Sequence, residues 1–151
     1  MASDYDQLRL DRQICFSLNA ASRAFGGVYR TLLKDLGLTY PQYLVMLALW
    51  EAPADEGLPV KRLGELLRLD SGTLSPLLKR LEANGLVHRE RSAQDERSVT
   101  ITLTEAGETL KPQAAQVPLK IAQATGFDLK EIEDLRERLN RLTEALDGAE
   151  L

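Results

Sequence analysis

Two sets of residues in this 151-residue chain carry types that could do chemistry: a single thiol, Cys15, and a group of short polar and cationic side chains between Ser71 and Arg97. A lone cysteine cannot close an intramolecular disulfide, so Cys15 is either packing, as free cysteine commonly is, or a thiol that answers to oxidants. The second set is Ser71, Thr73, Ser75, Pro76, Lys79 and Arg80, followed by Arg91, Asp95 and Arg97. Hydroxyls, an apolar wedge and cations are what base-edge and phosphate contacts to double-stranded DNA require. His88 is the only histidine and has no cysteine or histidine cluster around it, so neither a metal site nor a cofactor is expected. No glycine-rich phosphate loop or catalytic-triad spacing supports an enzyme.

The net charge of −4 and a sequence pI near 5.1 argue at first against a nucleic-acid partner. The charge is unevenly spread. From Pro59 to Leu103 there are eight Lys and Arg against six Asp and Glu, a net of +2, which leaves −6 for the remainder. A basic module in an acidic frame can bind phosphate locally while the frame discourages unspecific contact. No apolar run approaches the roughly 18 residues of a membrane span, and Met1 to Asp6 lacks the basic start and apolar run of a secretory signal. A cytoplasmic protein is expected, whose reducing surroundings keep a thiol free.

The elements that must position these residues are mostly helical. Ile14, Leu18, Ala21 and Phe25 repeat at helical spacing, with Asp11 as the expected N-cap and a break or kink expected at Gly26-Gly27. A second stretch from Val28 to Leu36 ends at Gly37. Thr39-Tyr40-Pro41-Gln42 reads as a capping box opening a helix to about Trp50, apolar nearly all round and therefore buried. It stops before Pro53 and a loop, Ala54 to Gly57.

From Pro59 the pattern becomes two short helices. Val60, Leu63, Leu66 and Leu67 line one, and Leu74, Leu77, Leu78 and Leu81 line the other, with Asp70-Ser71-Gly72-Thr73 as the turn. A cap at Thr73 would place Pro76 in the first turn, and the helix stops at Asn84-Gly85. This is a helix-turn-helix, whose second helix offers its N-terminal residues to the major groove. Leu86 to Arg91 and Arg97 to Leu103 then read as a hairpin, a wing whose arginines can enter the minor groove, with Asp95 expected to orient a neighbouring arginine by paired hydrogen bonds.

After Thr104-Glu105-Ala106-Gly107 the chain reads as helical, interrupted near Pro112, Pro118 and Gly126. Ile132, Leu135, Leu139, Leu142 and Leu146 form a stripe that needs a partner. A homodimer, setting two recognition helices against a palindromic operator, explains the amphipathic flanks better than a monomer folded on itself. The expected fold class is mainly α with a small β-hairpin wing (α+β). It is a single domain over 1–151, with dimerisation helices at 1–38 and 109–151 around a winged helix-turn-helix at 39–108.

Leu38 to Tyr43, the Asp70-to-Gly85 helix, Asp95-Glu96-Arg97 and Leu103 to Gly107 together resemble the MarR family of winged-helix regulators. Gln13-Ile14-Cys15-Phe16 and Tyr40-Pro41-Gln42-Tyr43 resemble its organic-hydroperoxide-sensing branch, the OhrR repressors. The resemblance implies a repressor in which Cys15 is the peroxidatic thiol, held by hydrogen bonds from Tyr29 and Tyr40 of the other subunit. Cys15 is expected about one turn inside its helix. Oxidation to a sulfenic acid would release the operator.

The chain departs from some relatives by having no second, resolving cysteine and by carrying Asn19 where they have a further tyrosine. Oxidised Cys15 would then end as a mixed disulfide with a low-molecular-weight thiol, a sulfenamide or higher acids. The other readings are a MarR-type repressor released by a non-covalent phenolic or aromatic ligand with a structural Cys15, and a thiol peroxidase.

Overall fold

The computed structural model describes residues 4–53, 55–95 and 97–151. Ala54 of the expected loop and Glu96 of the wing triplet lie outside them. The chain divides into two compact units, Met1–Ala114 and Ala115–Leu151.

The first unit opens with two 3-10 turns, Asp6–Leu8 and Leu10–Arg12, and then helix α1, Ile14–Leu33. Asp11 does not cap it. Its carboxylate is held by the Arg9 guanidinium at 3.0 and 2.8 Å, and the N-cap position falls to Gln13, whose amide donates instead to the carbonyls of Gln7 and Arg9. Nor does α1 break at Gly26-Gly27. Glycine lowers helix propensity but keeps its N–H, so no hydrogen bond of the ladder is lost and the helix runs on. It tightens into a 3-10 turn, Lys34–Leu36, and ends at Gly37 in the left-handed conformation, φ 68°.

Helix α2, Tyr40–Glu51, starts as its sequence dictates. The Gln42 N–H donates to Thr39 Oγ1, and Thr39 N–H donates to Gln42 Oε1 at 3.0 Å, which gives a partner to the side-chain oxygen of the one polar residue that is buried among those described. A strand missed in the sequence follows: β1, Leu58–Pro59. Helix α3 is Val60–Leu67 and helix α4 is Ser71–Ala83. Strands β2, Val87–Arg91, and β3, Val99–Leu103, complete an antiparallel sheet of order β1-β3-β2, with Leu58 opposite Ile101 and Arg89 opposite Ile101 on the other side. Two residues are too short a strand to announce itself by alternation.

The core draws on α1 to α4, β2 and β3, with three side chains from α4: Leu33, Met46, Leu63, Leu74, Leu78, Leu81, Val87 and Ile101 are all under 2% exposed. Burying each contributes roughly 1.5–3 kcal/mol. Leu66, expected inward, is 46% exposed. On an eight-residue helix it lies about 60° off Leu63, on the side away from Val60 and Leu67.

Helix α5, Glu105–Ala114, runs through Pro112 without the expected interruption. Its start is where four elements meet. Thr104 Oγ1 donates to the Gly85 carbonyl at 2.6 Å and accepts from Gly107 N–H at 3.0 Å, and the Gly107 carbonyl accepts from Trp50 Nε1 at 2.9 Å. The approach leaves no room for a side chain, since a Cβ on Gly107 would stand 2.2 Å from the Leu86 carbonyl oxygen.

In the second unit, helix α6 is Val117–Thr125, with Pro118 in its first turn where a missing N–H costs nothing, and it ends at Gly126, φ 72°. Helix α7, Leu129–Asp147, begins with a capping box: Asp128 Oδ1 accepts from Glu131 N–H at 2.8 Å. None of its described residues is buried; Leu135 and Leu146 of the leucine stripe are exposed, and Ile132, Leu139 and Leu142 are half-exposed.

Gly107→Ala is expected to lower the stability of the first unit by about 1–3 kcal/mol, the usual cost of overpacking. A urea melt reads it directly, and an unchanged midpoint would mean the junction yields freely.

Candidate nucleic-acid interface and thiol site

Asp70, rather than Thr73, caps α4: its Oδ1 accepts from Thr73 N–H at 2.7 Å. That hydrogen bond holds the Asp70 carboxyl below its ordinary range. The turn has three potential caps, and the one that prevails is the carboxylate whose bond is charge-assisted. Pro76 consequently lies in the second turn, inside the helix. At 100° per residue, Gly72, Thr73, Pro76, Lys79 and Arg80 form one band opposite Leu74, Leu78 and Leu81, and all five are exposed. Ser71 is exposed at the helix start, while Ser75 is half-buried on the flank.

The wing tip is a set of local turns. Ser92 Oγ accepts from the N–H groups of Gln94 and Asp95, Ser92 N–H donates to the Ser98 carbonyl at 2.8 Å, and Ser98 N–H donates to the Asp95 carbonyl at 3.0 Å. Asp95 does not grip a guanidinium as expected. Its Oδ1 accepts from the Arg97 backbone N–H at 3.0 Å, because a short side chain two residues upstream reaches the backbone first. Arg91 and Arg97 are exposed on either side of this turn. Glu82, unnoticed in the sequence, ties α4 to the wing by accepting from Arg89 N–H at 3.2 Å.

Cys15 is exposed at the second position of α1, closer to the helix end than expected because the helix starts at Ile14. The first helical bond is Ser17 N–H to the Gln13 carbonyl, so the N–H groups of Ile14, Cys15 and Phe16 stand beyond the ladder in the turn that carries the thiol. Ile14 and Phe16 flank it with 65% and 47% exposure.

Tyr29 stacks near Tyr40, ring centroids 4.8 Å apart, and near Tyr43 at 5.8 Å, with Phe25 at 6.4 Å. Tyr43 was missed as a member of this cluster, although its i, i+3 spacing from Tyr40 puts both on one face of α2. Burial, then Tyr43 and Tyr40, push Tyr29 up to about 12, and burial also raises Tyr43, so both phenols keep their protons as donors at neutral pH. Fourteen residues of one unbroken helix separate Cys15 from Tyr29, about 21 Å along its axis. The structure therefore joins Tyr29 to Tyr40 within a chain but does not bring Cys15 to them.

A family model described as transcriptional regulator SarA/Rot matches residues 27–113. The chain is 48% identical over 149 residues to the organic hydroperoxide resistance transcriptional regulator of Bacillus subtilis (strain 168), covering 97% of each protein. It is similar to two solved structures of AbfR, a Staphylococcus epidermidis protein. Reduced AbfR bound to DNA matches with TM-score 0.77 and 37% identity, over 95% of this chain and 99% of that one. Overoxidized AbfR bound to DNA matches with TM-score 0.76 and 36% identity over the same shares.

Because the folded state holds the Tyr29 proton more tightly than the unfolded chain does, its contribution to stability is complete below pH 10 and disappears between pH 10 and about 12. Tyrosinate absorbance should show a late-titrating phenol that is missing in Tyr29→Phe. Four tyrosines titrating together near pH 10 in the folded protein would contradict this.

Proposed function

The chain belongs to the MarR family of winged-helix transcriptional regulators, and on that premise we propose that it is a homodimeric repressor released from a palindromic operator when an organic hydroperoxide oxidises Cys15. The observation that carries the reading is the separation within α1: an exposed thiol at one end and a cluster of phenol donors at the other, about 21 Å apart. Such a pair is useless within one chain and complementary between two chains whose first helices run antiparallel. Cys15 of each subunit then faces Tyr29 and Tyr40 of its partner.

Apolar surface supports the dimer. Ile14, Phe16, Phe25 and Val28 on α1, and the leucine stripe of α7, are left uncovered to different degrees, and a second chain that covered them would remove this apolar surface from water. Residues 1–38 and 109–151 supply this dimerisation surface and 39–108 the DNA-binding region. Ser71, Thr73, Ser75, Pro76, Lys79 and Arg80 face the major groove and its phosphates. Arg91 and Arg97 follow the wing into the minor groove, with Asp95 shaping the turn that presents them.

The chemistry balances with one hydroperoxide per thiol. The Cys15 thiolate attacks the terminal oxygen of R–O–OH, the O–O bond breaks, and the alkoxide leaves and takes a proton to become the alcohol; sulfur is oxidised by two electrons to Cys–SOH. The phenols that held the thiolate now face a hydroxyl-bearing sulfur, and the dimer contact reorganises. With no second cysteine in the chain, a low-molecular-weight thiol condenses with the sulfenic acid to a mixed disulfide and water. On this reading the protein acts as a stoichiometric regulator that works where its operator is, in the cytoplasm, rather than as a thiol peroxidase turning over with a small thiol; among the described residues no helix is long and apolar enough to cross a membrane.

One equivalent of cumene hydroperoxide per subunit should weaken operator binding about 5–150-fold, the usual span of a coupling free energy, while Cys15→Ser stays bound. Fluorescence anisotropy on the operator measures both. Release of the serine variant by the hydroperoxide would reject the reading.

A further inference from the structure

We propose that the main-chain carbonyl of Gly72, left without a helical donor by Pro76, is a hydrogen-bond acceptor that reads an exocyclic amino group in the major groove. The inference rests on the reading of α4 as the groove helix and adds the element that discriminates bases. In a regular helix the N–H of each residue donates to the carbonyl four residues earlier. Pro76 has no N–H and its ring crowds the carbonyl at that position, so the Gly72 oxygen loses its i+4 donor in the ladder. The Asp70 cap makes this unavoidable, because it puts Pro76 beyond the first turn where proline would have displaced no bond.

The location suits a reader. Gly72, Pro76 and Lys79 fall within about 60° of one another on the helix, all exposed and all opposite the buried Leu74, Leu78 and Leu81. Glycine adds no side chain over its own carbonyl, and the nearest atom to a Cβ at that position would be Asp70 Oδ1 at 3.4 Å.

The chemistry of the face calls for an acceptor. Lys79 and Arg80 only donate, which suits guanine or phosphate. The two carboxylates nearby each commit one oxygen to a main-chain N–H, Asp70 to Thr73 and Glu82 to Arg89, and Asp70 stands at the cap while Glu82 lies about 60° outside the band. Of the five residues of this band, only Thr73 has a side chain that can accept, so the Gly72 carbonyl adds an acceptor, and the major-groove donors it can meet are the N4 amino group of cytosine and the N6 amino group of adenine.

Pro76→Ala and Pro76→Val both restore the N–H that closes the Gly72 carbonyl into the helix, and Val keeps an apolar wedge. Operator binding would be measured for each protein with every base pair substituted along the half-site, and with purine for adenine or 2-pyrimidinone for cytosine at the sensitive position. The wild-type protein should lose about tenfold in affinity when one particular amino group is removed. Both variants should lose less than about twofold there, melt at a higher temperature and keep the same salt dependence. A Val variant with the wild-type base profile would overturn the proposal and make Pro76 a wedge only. Folded variants that bind no DNA would overturn it by making Pro76 a determinant of helix shape. Wild-type protein that binds no operator would reject the groove-helix reading itself, and the proposal with it.

Discussion

The structure depends on one close approach, where the first turn of α5 meets the loop leaving α4. Gly107 has no side chain, and only for that reason can the helix start press against the Leu86 carbonyl, with Thr104 bridging Gly85 and Gly107 and Trp50 reaching the Gly107 carbonyl from α2. Four elements are registered at this point: the central helix, the end of the recognition helix, the last wing strand and the helix that leaves the wing. Displace it and α4 keeps its leucines but loses its fixed angle to the hairpin. The Glu82 contact to Arg89 N–H adds a second tie between the same two parts, so helix and wing are held as one reading head.

The proposed redox centre follows the opposite logic. Its halves are kept apart by α1, a rod that no glycine pair interrupts, and each half is nearly inert alone. One end carries an exposed thiol with neither Tyr29 nor Tyr40 near it; the other carries the Tyr29, Tyr40 and Tyr43 cluster, where burial holds the protons on Tyr29 and Tyr43, with no thiol. On the proposed reading, association of two chains is what assembles the sensor, and the same dimer carries the two DNA-binding helices.

Much of the fold was legible because its signals are local and chemical. The Thr39 and Gln42 box, the glycine stops at Gly37, Gly85 and Gly126, and the alternation of Val99, Ile101 and Leu103 each act within a few residues, and each appears where the sequence puts it. What failed was competition between equally local candidates. Asp11 had a cationic neighbour that took its carboxylate; Asp70 outbid Thr73 for the cap; Asp95 met a backbone N–H before any guanidinium. Strand β1 was invisible since its partner is more than forty residues away in β3. Of the candidate site, the individual residues could be named from their types, but the pairing of Tyr43 with Tyr29 and the distance from Cys15 to both depend on whether α1 bends. Composition alone pointed the wrong way on that.

The unbroken α1 also limits how this chain can change over evolutionary time. Fourteen helical residues turn through about 320° beyond three full rotations' worth of phase, so Cys15 and Tyr29 lie within about 40° of the same face. Substitutions between them that keep the helix, proline excepted, leave that phase untouched. A single inserted or deleted residue swings one end by about 100° and shifts it by about 1.5 Å, and because two copies are proposed to meet antiparallel, the error enters twice. The stretch from Cys15 to Tyr29 is therefore fixed in length even where its letters can change, a frame-locked segment of α1.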